Sequence, residues 1–125
     1  MSGKKVILLV EDDEASQYIF STLLQHRGYL TEVAADAEHG FQRIKQEQPA
    51  LIIMDVGLPE MDGVTMTRML KSDPATRDIP ILVLTVFAFD HDRQEALHAG
   101  ADRFVPKPAE KEELYAIVEE LIGPP

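Results

Sequence analysis

The sequence predicts a doubly wound α/β domain on five parallel strands, and three observations lead there. Short apolar runs recur five times along the 125 residues, segments of helical period separate them, and glycines and aspartates stand at the junctions. The pattern reads βαβαβαβαβα without internal repeats, low-complexity tracts or a linker-like interruption. One domain over residues 1–125 is therefore expected, with a core from about 5 to 122.

The first run, "VILLV" (6–10), is continuously apolar, as suits a parallel strand covered on both faces. Asp13 is placed to cap the helix that follows, in which Ala15, Tyr18, Ile19, Thr22 and Leu23 recur at i, i+3, i+4, i+7 and i+8 and predict its apolar face. Gly28 falls at that helix's C-cap. "LTEVAA" (30–35) is the second strand and Asp36 the N-cap after it. "LIIM" (51–54) is the third strand, followed by a loop in which Asp62 and Gly63 form the turn and cap opening the third helix. "ILVLT" (81–85) is the fourth strand, after which Asp90 is expected to cap a helix ending at Gly100. "RFVP" (103–106) is the fifth, and Leu114, Ile117, Val118 and Leu121 give the last helix its apolar face. Right-handed crossovers then give the flavodoxin-like sheet order 2-1-3-4-5.

Composition excludes several classes. Twenty-two acids against twelve bases leave a formal charge of −10, which repels polyphosphate and makes nucleic acid an unexpected partner. The absence of Cys excludes a disulfide framework and thiolate chemistry. No apolar run approaches the roughly 20 residues of a membrane span, and "MSGKKVILLVEDD" turns acidic too early for a secretory signal, so no membrane contact and a cytoplasmic location are expected. His26, His39, His91 and His98 lack metal-ligand spacing with one another.

Ligands of open α/β sheets bind beyond the carboxyl ends of the strands, where strand order reverses. Strand 1 ends in Glu11 and Asp12, strand 3 in Asp55, strand 4 in Thr85 and strand 5 in Lys107. Strands 1 and 3 are neighbours in the expected order, so Glu11, Asp12 and Asp55 share one pocket. Crowded carboxylates either take up protons or recruit a cation, and an oxygen-only ligand set favours Mg²⁺. A cation, the Lys107 ammonium and the Thr85 hydroxyl together are what a transferring phosphoryl group needs. Asp55 alone would be read as a turn residue. In that company it becomes a carboxylate nucleophile, the kind that forms aspartyl-phosphate.

With "VED", "MDVGLPEMDG", "LT" and "KP" closing four strands in order, the chain resembles the response-regulator receiver domains of two-component signalling from Lys5 to about Ile122. The resemblance implies Asp55 as phosphoacceptor, Glu11 and Asp12 as the acidic pair at the metal, and Gly57 as a metal ligand through its carbonyl. It implies Thr85 and Lys107 as phosphoryl-oxygen partners, Phe104 as an aromatic switch lying inward or outward, and a cis Lys107-Pro108 peptide. Gly57 and Phe87 occupy the positions that set phosphoryl lifetime in the family. Two departures from its pattern stand out: Val86, where a small residue is usual, is expected to narrow access to Asp55, and Ala109, where a large apolar residue is usual, to loosen the start of the last helix.

What the resemblance implies for function is Mg²⁺-dependent phosphoryl transfer from phosphohistidine of a sensor kinase or phosphotransfer protein to Asp55. The surface of helix 4, strand 5 and helix 5 then switches for a downstream protein partner. No external substrate is turned over. Because nothing follows "ELIGPP", a stand-alone receiver is expected. The alternative is a degenerate receiver acting as a phosphorylation-independent interaction module. FMN binding is disfavoured by acids where a phosphate loop would follow strand 1.

Overall fold

The computed structural model describes residues 5–125, so residues 1–4 of the expected domain lie outside the described residues. Ten elements alternate: β1 (Val6–Val10), α1 (Glu14–Arg27), β2 (Leu30–Ala34), α2 (Ala37–Gln46), β3 (Leu51–Met54), α3 (Gly63–Ser72), β4 (Ile81–Thr85), α4 (Asp90–His98), β5 (Arg103–Pro106) and α5 (Lys111–Ile122). The strands pair in parallel in the order β2-β1-β3-β4-β5, as the sequence predicts.

Side chains alternate across a strand, so the continuous apolar runs feed two cores. Leu8, Val10, Ile52, Met54, Ile81 and Val83 meet α2, α3 and α4 on one face. Ile7, Leu9, Leu51, Ile53, Leu82 and Leu84 meet α1 and α5 on the other. Each fully buried Leu or Ile stabilises the fold by roughly 1.5–3 kcal/mol. The sheet is thus a rigid platform for the loops at its carboxyl edge.

Asp13, Asp36 and Asp62 cap α1, α2 and α3 by accepting the N–H of Ser16, His39 and Thr65 at 2.8–2.9 Å. Asp90 does not cap α4. The N-cap is Phe89, whose N–H donates to the Asp92 carboxylate at 3.0 Å, so the helix begins one residue earlier than expected. At its other end the C-cap is Ala99, with Gly100 just beyond it at φ 111°. β2 closes at Ala34, one residue short of the expected limit: Glu11 N–H still takes the Ala34 carbonyl at 2.9 Å, and the chain bends at Ala35.

The α1 face requires a larger correction. Phe20 and Leu24 are the buried residues of this helix, whereas Tyr18 is 73% and Ile19 51% exposed. The stripe read from Ala15 to Leu23 therefore lies mostly on the water side. Phe20 and Leu24 are also four residues apart, and packing against Leu114 and Val118 of α5 selects that phase.

Candidate functional site

The loops at the carboxyl ends of β1, β3, β4 and β5 bring the expected residues together. Among the described residues, Glu11, Asp12 and Asp55 offer carboxylate oxygens all within 4.8 Å of one another. Glu11 and Asp55 are buried at the strand ends, and Asp12 faces solvent. Parallel register produces this directly: Val10 pairs with Met54, so the next residues of β1 and β3 leave the sheet side by side.

A tight loop aims Asp55. Gly63 N–H donates to the Val56 carbonyl at 2.9 Å, closing the segment between β3 and α3. A Cβ on Gly63 would fall 2.0 Å from the Asp55 carbonyl oxygen, so only glycine lets α3 start this close to the strand. The Asp55 carboxylate accepts the Gly57 N–H at 3.1 Å, and Glu60 sits at φ 65°, a left-handed conformation for a residue with a side chain.

Lys107 crosses from β5 into the same pocket. Its ammonium pairs with Glu11, lies 3.6 Å from Asp55, and donates to the Ser16 hydroxyl at 3.2 Å. It also stands 5.7 Å from the centre of the Phe20 ring. Glu11 in turn accepts the Asp13 N–H at 3.0 Å, while its carbonyl accepts from the Gln17 side chain at 2.6 Å. Ser16, Gln17 and Phe20 are site residues that sequence reasoning missed. The only signal for Ser16 and Gln17 is position in the first turn after the acidic pair, where polar helix residues ordinarily face water, and Phe20 reads as a core residue.

Burial pushes the Glu11 carboxyl above the usual carboxylate range, against the opposing pull of Lys107 and the Asp13 N–H. Burial also opposes ionisation of Asp55. There the Thr85 hydroxyl, the Gly57 N–H, Glu11 and the Lys107 charge outweigh it, and the Asp55 carboxyl ends below its ordinary value. Asp55 is thus held as an anion, the form a nucleophile requires.

Thr85 is fully buried at the end of β4, and its oxygen accepts the Phe87 N–H at 3.2 Å. The hydroxyl proton is therefore left to donate toward the Asp55 side of the pocket. The Phe87 ring lies over Gly57, where an added Cβ would come within 2.6 Å of it. Val86, directly after Thr85, is exposed at the mouth of β4. Phe104 is 9% exposed and packs inward in the first core; of the two expected positions, this structure holds the inward one. Lys107-Pro108 is cis, and Ala109 packs against the second core.

Three carboxylates without a His or Cys donor, one of them open to water, fit a hard divalent cation such as Mg²⁺. Glu11, Asp12 and Asp55 would hold it. No helix of the described residues is long and apolar enough to cross a membrane.

Comparisons with known proteins agree with this geometry. The family profile described as the response regulator receiver domain matches residues 7–119. The chain is 37% identical over 116 residues to the DNA-binding dual master transcriptional regulator RpaA of Synechocystis, covering 93% of this chain and 48% of that protein. The chain therefore spans about half the length of that relative. Among solved structures, the signal receiver domain of a signal transduction histidine kinase from Syntrophus aciditrophicus superposes with a TM-score of 0.88 at 35% identity, covering 94% of this chain and 89% of that one. The receiver domain of the sensor histidine kinase PA1611 from Pseudomonas aeruginosa, which has a magnesium ion coordinated in its active site cleft, superposes with a TM-score of 0.89 at 32% identity and covers 97% and 99%.

Proposed function

Because this chain belongs to the response regulator receiver domain family, we propose that it accepts a phosphoryl group on Asp55 from the phosphohistidine of a sensor kinase or phosphotransfer protein. The observation that carries this reading is the convergence of Asp55, the Glu11–Asp12 pair, Thr85 and Lys107 at one carboxyl edge of the sheet.

An Asp55 carboxylate oxygen attacks the phosphorus. A P–O bond forms as the P–N bond to the donor imidazole breaks, and the imidazole leaves with the electron pair and takes up a proton. A Mg²⁺ ion held by Glu11, Asp12, Asp55 and the Gly57 carbonyl would supply positive charge to the phosphoryl oxygens. Lys107 neutralises a second oxygen, and the Thr85 hydroxyl donates to a third. Lys107 must loosen its hold on Glu11 to do so, which links phosphorylation to the β5 end of the pocket.

Thr85 and Phe104 then carry the change to α4, β5 and α5, where a downstream protein binds. The chain acts as a phosphoacceptor and turns over no external substrate. Its charge of −10 supports a protein partner over nucleic acid, and a cytoplasmic location suits the donor. The ring of Phe87 over Gly57 supports slow autodephosphorylation, because no polar side chain there orients a hydrolytic water.

The test is incubation with acetyl phosphate with and without Mg²⁺, read by intact mass. One phosphoryl adduct that requires Mg²⁺ is expected. A chain that never takes up an adduct would overturn phosphotransfer and favour a phosphorylation-independent interaction module.

A further inference from the structure

A second concavity shares none of its lining with Glu11, Asp12, Asp55, Thr85 or Lys107. A groove of about 1060 Å³ opens between α2 and α3, and the loop residues Pro59–Met61 form part of its wall. Its lining includes Phe41, Met61 and Met69, and Met69 is 48% exposed. Glu38, Glu47 and Glu60 are exposed lining residues, against Lys45 as the lining base. The groove belongs to the α2–α3 side of the sheet, apart from the surface formed by α4, β5 and α5.

An apolar patch bordered by charge marks an interaction site, and the shape suits an amphipathic helix laid into a groove. The sign of the border selects the partner. A second copy of this chain would set acids against acids across a two-fold axis, with −10 on each side. A helix with one apolar face flanked by lysines or arginines meets both features, and the chain's net charge would speed its approach. Met69 and Met61 suit such a contact because the flexible thioether adapts to the incoming side chains.

We propose that the α2–α3 groove docks a basic amphipathic helix of a partner protein, with apolar side chains on Phe41, Met61 and Met69 and cations facing Glu38, Glu47 and Glu60.

The probe is a fluorescein-labelled peptide of about 18 residues, five helical turns, with leucines at i, i+3, i+4 and i+7 and lysine or arginine on the flanks. Titration with the full chain is read by anisotropy, beside a scrambled peptide of the same composition. Saturable binding of the patterned peptide alone is expected. Glu47→Lys and Met69→Ser should each weaken it by at least about fivefold, the factor equivalent to roughly 1 kcal/mol. Glu95→Lys, which makes the same charge change on α4 outside the groove, should leave it unaltered. Thermal melts establish that each variant is folded, and both Glu sites are exposed. Absence of saturable binding, equal binding of the scrambled peptide, or equal loss in Glu95→Lys would overturn the proposal. So would self-association in sedimentation that Met69→Ser abolishes, since a second copy would then be the occupant.

Discussion

Replacing Lys107 by Ala leaves Glu11 as a buried carboxylate without its cation. The Lys107 side chain is 11% exposed and the Glu11 side chain 2%, which places the pair in the buried class, where removal of one partner costs about 3–5 kcal/mol. The Asp13 N–H still serves Glu11, so the lower end, about 3 kcal/mol, is expected. For a domain of this size that lowers Tm by roughly 10–15 °C. The loss should depend on pH. Glu11 has a folded-state pKa above its unfolded value, so the folded chain holds the proton longer, and stability falls as pH rises from the unfolded value of 4.5 through the folded one. Lys107 pulls that folded value down, and its removal pushes the value further up and widens the window of falling stability. The difference between wild type and Lys107→Ala should therefore be smaller at about pH 5 than at about pH 8. Urea denaturation in chelator at both pH values measures this, with Lys107→Met as a control that keeps the stem near Phe20. A loss equal at both pH values would show that lost packing, not the stranded Glu11 charge, is responsible.

Mg²⁺ at about 100 times its Kd should stabilise the wild type by about 2.7 kcal/mol in urea denaturation without chelator, and Asp12→Ala should lose most of that gain. Equal stabilisation of the variant would remove Asp12 from the metal site. Phe87→Asn should shorten the phosphoryl lifetime about tenfold, the effect of roughly 1.4 kcal/mol from one hydrogen bond to the attacking water, whereas Phe87→Leu should change it little. Radiolabel decay at matched Mg²⁺ decides, and equal decay in wild type and Phe87→Asn would mean that the ring shields nothing. Phe104→Leu should keep phosphoryl uptake but reduce the phosphorylation-dependent gain in partner affinity, measured by comparing pull-downs of phosphorylated and unphosphorylated protein. Leu is preferred to Ala because Phe104 is buried and truncation to Ala would cost about 3–5 kcal/mol of stability. An unchanged gain would locate the switch elsewhere.

The sheet and its pocket were legible because the run-and-helix pattern determines topology, and topology determines which strand ends are neighbours. Asp55 beside Glu11 follows from β1 pairing with β3. The phase of α1 was not legible: Ile19 with Leu23 and Phe20 with Leu24 both satisfy a four-residue spacing, and contact with α5 chooses between them. The start of α4 is ambiguous in the sequence because Asp90 has the chemistry of a cap, while Asp92 receives the N–H that sets the boundary at Phe89. The pocket contacts of Ser16 and Gln17 are illegible for a related reason. A polar residue in a first helical turn carries no mark that its side chain turns back toward the pocket. The inward position of Phe104 depends on packing around β4 and β5, which spacing alone does not encode.

The most direct measurement is site localisation of the phosphoryl group. Wild type and Asp55→Asn are treated with acetyl phosphate and Mg²⁺, the acyl phosphate is trapped by borohydride reduction, and the digested chain is mapped by tandem mass spectrometry. Asn keeps the shape of the side chain and relieves the repulsion among Glu11, Asp12 and Asp55, and thermal melts establish that both proteins are compared folded. Modification confined to Asp55 in the wild type, and none in Asp55→Asn, is the expected result. Equal modification of the Asn variant, or trapping at Glu11 or Asp12 in the wild type, would contradict the assignment of Asp55 as the nucleophile.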